Sequence, residues 1–319
     1  MKLFRVNMTA AILLLLGMLL ILSGCTSSSD NKLVDGKTNV VTSFYPLYFL
    51  AKQIGGEQVN AVNLIPAGVE PHEWSPKSLD LDIASKAQLF LYNGAGFEGW
   101  VDNFLKGLSK DSKVVTKVAS EGIALIDSEG EEEEHDHGHE ADADGHHHDP
   151  HTWVSPKSML IMAENVRNAL IEVDADHREQ YEVNYEALQV KLKQLDEQYT
   201  EKLGAAKLKA IVTSHHAFGY LARDYGLEQV SIMGLSPDAE PKAQDLLQIA
   251  KFVKENGIKY IFFEELVSDK LANTLAREAK VETLVLNPVE GLTPEQESKG
   301  EDYFSIMEAN LQNLLQALQ

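Results

Sequence analysis

Short β-branched and aromatic runs alternate along this chain with stretches whose apolar residues recur every three to four positions. NVVTSF (39–44) predicts a strand, and Pro46 opens a helix to about Ile54. QVNAVNLI (58–65) predicts the next strand, followed by the Pro- and Gly-rich loop PAGVEPHEWSP and a helix over about 77–86. QLFLYNG (88–94), a helix over 99–108 and VVTKVAS (114–120) complete a β-α-β-α-β series. Further on, Pro156 opens a helix to about Val173, and a longer one is expected over 176–203. That helix has no Pro or Gly and carries Tyr181, Tyr185, Leu188, Leu192, Leu195 and Tyr199 at helical spacing. At 1.5 Å per residue it would span about 40 Å, enough to join two small domains rigidly.

A second alternating series begins at KAIVTSH (209–215). It continues with helix 217–225, strand 228–234, helix 240–256 ended by Gly257 and strand KYIFFEE (259–265). Helix 268–280, strand ETLVLNP (282–288) and a terminal helix from about Tyr303 complete it. Strands alternating with helices argue parallel sheets covered on both faces. The expected class is therefore α/β, with two lobes, each a parallel-rich sheet flanked by helices, joined by a long rigid linker helix. At 319 residues and 44% hydrophobic, the chain can supply a core to each lobe.

The alternation breaks between the two series. EEEEHDHGHEADADGHHHDPHTWVSP (131–156) contains seven of the eleven histidines among acids, with no Lys or Arg. Such a stretch has nothing with which to bury a core, but it is dense in ligands for a borderline divalent metal. His135, His137, His139, His146, His147 and His148 are expected to act as an auxiliary, low-affinity collecting tract, the plain alternative being a solvated acidic insert. His151, set between two prolines and beside Trp153, is separated from them as a residue of a fixed site. The net charge of −21 reflects the same insert, since Asp127 to Asp149 holds eleven acids and no base, leaving −10 elsewhere. That balance excludes nucleic acid as a partner, because phosphate binding requires basic patches.

The first residues have a basic start (Lys2, Arg5), an apolar run from Ala10 to Leu22 and the junction Leu22-Ser23-Gly24-Cys25. The run is short for a membrane span and is followed by a Ser-rich tether, so it is read as a secretory signal. The junction is similar to the site at which bacterial lipoproteins are cut and acylated, which makes Cys25 the lipidation residue and the outer face of the cell membrane the location. Cys25 is the sole cysteine, so its acylation leaves no thiol for a disulfide or a thiolate metal site. The expected division is signal 1–24, tether 25–38, N-terminal lobe 39–127, insert 128–149, lobe completion and linker helix 150–204, and C-terminal lobe 205–319.

Four residues stand out as ligands by position. His72 lies in the loop after the second strand, His151 ahead of the Pro156 helix, His215 at the end of KAIVTSH and Glu290 just after ETLVLNP. Open α/β sheets bind ligands at the carboxyl ends of their strands. Three imidazoles and one carboxylate suit four-coordinate Zn(II), whereas manganese prefers more oxygen. His216 competes with His215, Glu264 and Glu265 compete with Glu290, and His177 is read as a surface residue. Glu70 and Glu73 flank His72 and are candidates to orient it. Trp74 and Trp153 are candidates to wall the site from water or simply to pack.

PHEWSP (71–76), the insert leading to DPHTWVSP (149–156), TSHHAFGYLARDYGL (213–227), IMGLSPDAEP (232–241) and LNPVEGL (286–292) together carry a resemblance. Over essentially everything after Cys25, the chain resembles the zinc-binding members of the metal-specific solute-binding lipoproteins of bacterial ABC transporters. The resemblance implies that His72, His151 and His215 bind the metal, with Glu290 as fourth ligand as in the Gram-positive zinc binders. Manganese-binding relatives typically carry Glu at the third position, so His215 implies zinc. It further implies two α/β lobes bridged by a rigid helix, Zn(II) as transported ligand, a membrane permease as partner, a lipid anchor to the membrane and a monomer. An enzyme is not expected, since no HExxH or GxSxG occurs; a manganese carrier, a surface adhesin and a zinc hydrolase are the alternatives.

Overall fold

The alternating runs place apolar side chains on both faces of the first sheet. The computed structural model describes residues 32–128, 148–237 and 241–319. Strands β1 (Thr38–Thr42), β2 (Val59–Asn63), β3 (Leu89–Tyr92) and β4 (Val115–Val118) form one parallel sheet in the order β2-β1-β3-β4. Val41, Val62 and Phe90 face one way, onto Ile83 and Ala84 of α2 (Ser78–Lys86) and Phe104 of α3 (Val101–Gly107). Val40, Leu89 and Leu91 face the other way, onto α1 (Tyr45–Gly55) and α4 (Pro156–Val173). Two-residue periodicity thus divides one sheet between two cores.

In the second half, β5 (Ala210–Thr213) pairs with β6 (Glu228–Ser231) and β7 (Tyr260–Phe263) with β8 (Glu282–Val285), both in parallel. The expected sheet is therefore built from two ladders. Among the described residues no backbone ladder joins β5 to β7; the Ser214 hydroxyl donates to the Phe262 carbonyl instead, at 3.3 Å. The same division of faces recurs. Val212 and Ile261 turn toward Ile249 and Val253 of α7 (Ala243–Glu255) and Leu275 of α8 (Lys270–Ala279), while Ile211 and Phe262 join the central core.

The linker is α5 (Arg178–Gly204), whose buried stripe is Tyr181, Tyr185, Leu188, Leu192, Leu195, Tyr199 and Leu203. It is tied to elements distant in sequence: Asn184 donates to the Ile54 carbonyl at 2.9 Å, and the Tyr199 hydroxyl to the Met307 carbonyl at 2.7 Å. The short helices α6 (Gly219–Tyr225) and α9 (Pro294–Lys299) and the terminal α10 (Tyr303–Ala317) complete the described fold. Helix α9 is absent from the periodicity reading because six residues are fewer than two turns. Its capping box is nonetheless visible in the sequence: Thr293 accepts from the Gln296 N–H at 3.2 Å, and Gln296 accepts from the Thr293 N–H at 2.9 Å.

His148 sits in an antiparallel bridge with Asp127, its Nδ1 3.0 Å from Asp127 Oδ1. His135, His137, His139, His146 and His147 fall outside the described residues, as does Cys25.

Between α4 and α5, Asp174 gathers three donors. The Thr38 and Tyr181 hydroxyls each donate to Oδ2 at 2.6 Å, and His177 Nδ1 lies 2.8 Å away. Burial works against the charged carboxyl, but these hydrogen bonds outweigh it and hold Asp174 below the ordinary carboxylate range. With the folded value lowered, this stabilisation is complete above the unfolded pKa of about 3.9 and is lost as pH falls through the folded value. Asp174→Asn is therefore expected to cost about 1–3 kcal/mol at pH 7 and to flatten the loss of stability on acidification. Urea titrations at pH 7 and pH 3 measure both, and an acid dependence matching that of the unsubstituted protein counts against the assignment.

Candidate metal centre

The four expected ligands meet. His72 is on the turn after β2, where Glu70 Oε2 accepts the Glu73 N–H at 2.9 Å; burial, the largest influence on the Glu70 carboxyl, raises its pKa. The Gly68 N–H donates to the Leu292 carbonyl at 2.8 Å, which pins this loop to the turn carrying Glu290. His151 Nε2 lies 3.3 Å from His72 Nε2 and 3.3 Å from His215 Nε2. Glu290 Oε1 lies 3.5, 3.4 and 3.5 Å from the Nε2 atoms of His72, His151 and His215. One donor atom from each residue can be chosen so that all four lie within 4.8 Å of one another. A tetrahedral ion with bonds of about 2.0–2.1 Å spaces its donors about 3.3 Å apart. Five of the six separations therefore match the edges of a tetrahedral shell.

Two of the imidazoles are held from behind by carboxylates. Asp149 Oδ1 accepts the His151 backbone N–H at 2.9 Å and faces His151 Nδ1 at 2.8 Å. Glu264 accepts the His215 N–H through Oε1 at 3.2 Å and sets Oε2 2.7 Å from His215 Nδ1. A carboxylate can only accept, so His151 Nδ1 is the donor to Asp149; His215 Nδ1 and Glu264 Oε2 form a close ion-pair contact without hydrogen-bond geometry, and each Nε2 faces the cluster. Burial works against charging these rings. For His151, Asp149 and Glu290 overcome it and raise the pKa; for His215, Glu264 and Glu290 push it up to about 10. Glu290 is also desolvated by burial, yet His72, His151 and His215 hold it well below the carboxylate range. Its Oε1 is buried and has no hydrogen-bond partner.

The competitors are accounted for by geometry. The chain bends past the end of β5, the His216 N–H donates to the Gly234 carbonyl at 2.8 Å, and His216 Nδ1 points toward Ser231 at 3.4 Å. Glu264 braces His215 instead of joining the cluster. Glu265 Oε2 accepts from Asn287 at 2.6 Å and Gln296 at 2.8 Å. Asn287 in turn accepts the Val289 N–H at 2.7 Å, and Asn310 bonds both its N–H and its carbonyl, at 2.8 and 2.7 Å. This web holds Val289 at φ +59°, a left-handed backbone for a β-branched residue, and so aims Glu290. His177 is an exposed partner of Asp174.

Of the two tryptophans, Trp74 packs on Trp100, with ring centroids 5.4 Å apart. Trp153 is fully buried 5.4 Å from the His151 ring, and its Nε1–H donates to the Pro288 carbonyl at 2.7 Å. Asp149 was within reach of sequence reasoning, two residues before His151. Glu264 stands in the sequence only as a rival of Glu290; its bracing role is hidden there, because 49 residues separate it from its partner.

The profile of the zinc-uptake complex component A family, described as periplasmic, matches residues 40–317. This chain belongs to that family. Among zinc-uptake component A relatives, it is 46% identical over 290 residues to the zinc-binding lipoprotein AdcA of Streptococcus pneumoniae strain R6, covering 90% of this chain but 57% of that protein. The chain thus spans little more than half the length of that relative. It is 42% identical to the high-affinity zinc uptake system protein ZnuA of Bacillus subtilis, over 94% of each chain. The Zn(II)-bound ZnuA-like domain of Streptococcus pneumoniae AdcA superposes with a TM-score of 0.75 at 43% identity, covering 89% of this chain and 99% of that domain. The two-lobe architecture with a long linker helix is the family's own.

Trp153→Phe removes the donor to a buried carbonyl beneath the Glu290 turn. It is expected to cost about 1–3 kcal/mol for the orphaned acceptor, in addition to any loss of packing. Chemical denaturation tests this, and a loss below about 0.5 kcal/mol would show that the indole N–H does not hold the turn.

Proposed function

We propose that this protein captures Zn(II) outside the cytoplasmic membrane with His72, His151, His215 and Glu290, and hands it to the permease of an ABC transporter. One observation carries the reading: Glu290 Oε1, buried and without a hydrogen bond, stands 3.4–3.5 Å from three imidazole nitrogens. An oxygen so placed needs cationic charge beside it. Three nitrogens and one oxygen match the preference of zinc, and four protein donors complete a tetrahedral shell. Catalytic zinc sites keep a position open for water, so a completed shell favours capture over hydrolysis. The family and the zinc-binding names of the relatives support zinc as the cargo over manganese. Acylation of Cys25 would tether a monomer to the outer face of the membrane, beside its permease.

Replacing His151 or His215 with Ala is expected to weaken Zn(II) binding by more than a hundredfold. Asp149→Asn and Glu264→Gln, which disturb the bracing carboxylates, are expected to weaken it about 10–100-fold. Chelator competition measures all four, and a His215→Ala protein with unchanged affinity would falsify the ligand set. Imidazoles coordinate only when deprotonated, so zinc binding should release protons and weaken as pH falls. A metal-soaked crystal with an anomalous signal across the zinc edge would identify the ion directly.

The collecting role of the insert is separable. Replacing 129–147 with a short Gly/Ser linker, which lets the Asp127–His148 bridge close, is expected to lower the number of zinc ions bound per chain and to leave one tight site. Metal analysis after dialysis reads the stoichiometry. An unchanged stoichiometry would leave the insert as a solvated acidic loop.

A further inference from the structure

The turn between β3 and α3 contains a buried carboxylate that the metal chemistry above does not use. The backbone runs through three successive left-handed residues, Gly94 at φ +79°, Ala95 at +53° and Gly96 at +84°. Only the glycines adopt such angles without strain. A Cβ on Gly94 would lie 2.6 Å from Val118 Cγ1, so the turn is also pressed against β4. Glu98 closes it from inside. One carboxylate oxygen accepts the Ser43 hydroxyl at 2.6 Å and the Asn93 N–H at 2.7 Å, and the other accepts the Gly94 N–H at 3.0 Å. Consecutive backbone N–H groups around an anion form a nest, which here offsets part of the cost of burying a side chain only 5% exposed; burial still outweighs these bonds and raises the Glu98 pKa.

The turn so closed reaches two of the imidazoles. The Asn93 amide donates to the Pro150 carbonyl at 2.9 Å and accepts the Thr152 hydroxyl at 3.1 Å, bracketing His151 from both neighbours in sequence. Phe97 meets the His72 ring edge-on, with centroids 5.2 Å apart and planes at 80°, and lies 6.5 Å from the His151 ring. It also packs on Trp153 at 4.8 Å, the indole that supports the Glu290 turn.

We propose that Glu98 is a positioning residue for metal capture: by closing the 93–98 turn it fixes His151 through Asn93 and His72 through Phe97. The inference rests on the four-donor reading of the site. Glu98 touches no metal donor, and its effect is on how well the shell is arranged before the ion arrives.

The test uses the full chain with Zn(II) and Co(II) as probes. In Glu98→Gln the amide NH₂ must face one of the two backbone N–H donors in either orientation, so the nest opens on that side while side-chain volume is kept. Asn93→Ala removes the bracket on His151 and leaves the Glu98 side chain in place. Both variants are expected to bind Zn(II) about 10–100-fold more weakly and to alter the visible ligand-field bands of bound Co(II). Asp174→Asn, remote from the cleft, serves as a control for lost stability and should keep the affinity and bands of the unsubstituted protein. Glu98→Gln with lowered stability but unchanged affinity and bands would make Glu98 a structural residue only and overturn the proposal. Should Glu98→Gln fail to fold, Asn93→Ala decides on the same two readouts. If His151→Ala also binds Zn(II) as the unsubstituted protein does, the four-donor reading itself fails, whatever Glu98 does.

Discussion

The centre of this molecule is an electrostatic demand. Three imidazole nitrogens and one carboxylate oxygen, five of their six separations at 3.3–3.5 Å and all within 4.8 Å, are set in a space from which water is nearly excluded. Asp149 and Glu264 occupy the far nitrogens of two rings, so the near nitrogens must face one another across the cleft. Only positive charge relieves such a gathering, supplied either by protons on the rings or by a metal ion. The raised pKa values of His151 and His215 and the lowered one of Glu290 express the first alternative. The tetrahedral spacing expresses the second. Proton and cation are rivals for the same place.

The rest of the fold keeps the donors from escaping that demand. Each is delivered by irregular backbone, and each stretch of irregular backbone is tied by side chains from elsewhere. The Glu290 turn is held by Glu265, Asn310 and Trp153, and the His151 segment by Asn93, Asp149 and the Tyr220 hydroxyl, which donates to the Asp149 carbonyl at 2.7 Å. These are buried polar bonds between residues far apart in sequence. They position groups that regular strands alone would leave to sway.

Much of this was legible beforehand, and the parts that were not share a cause. The alternation of strand and helix, the linker stripe from Tyr181 to Tyr199 and the four candidate ligands that the structure brings together lie in patterns local in sequence. The preference for His215 over His216 rests on the family resemblance and not on strand alternation, which does not govern residues where the backbone bends past β5. The roles of Glu264 and Glu265 depend on partners 49, 22 and 31 residues away, and no periodicity encodes such pairings. Trp153 was noticed for its neighbourhood to His151, but its bond to Pro288 spans 135 residues. The division of the second sheet into two ladders, and the six-residue α9, escape because short elements leave too few positions to establish a period.

Trp153 has one further consequence. Its indole N–H is bound to Pro288, its own carbonyl accepts the Tyr303 hydroxyl at 3.0 Å, and the core around it runs from Val40 to Leu318. Neither α/β series can come apart without exposing that shared interior. A chain that reads as two series is therefore built round one shared interior, and a cavity opened there would loosen both.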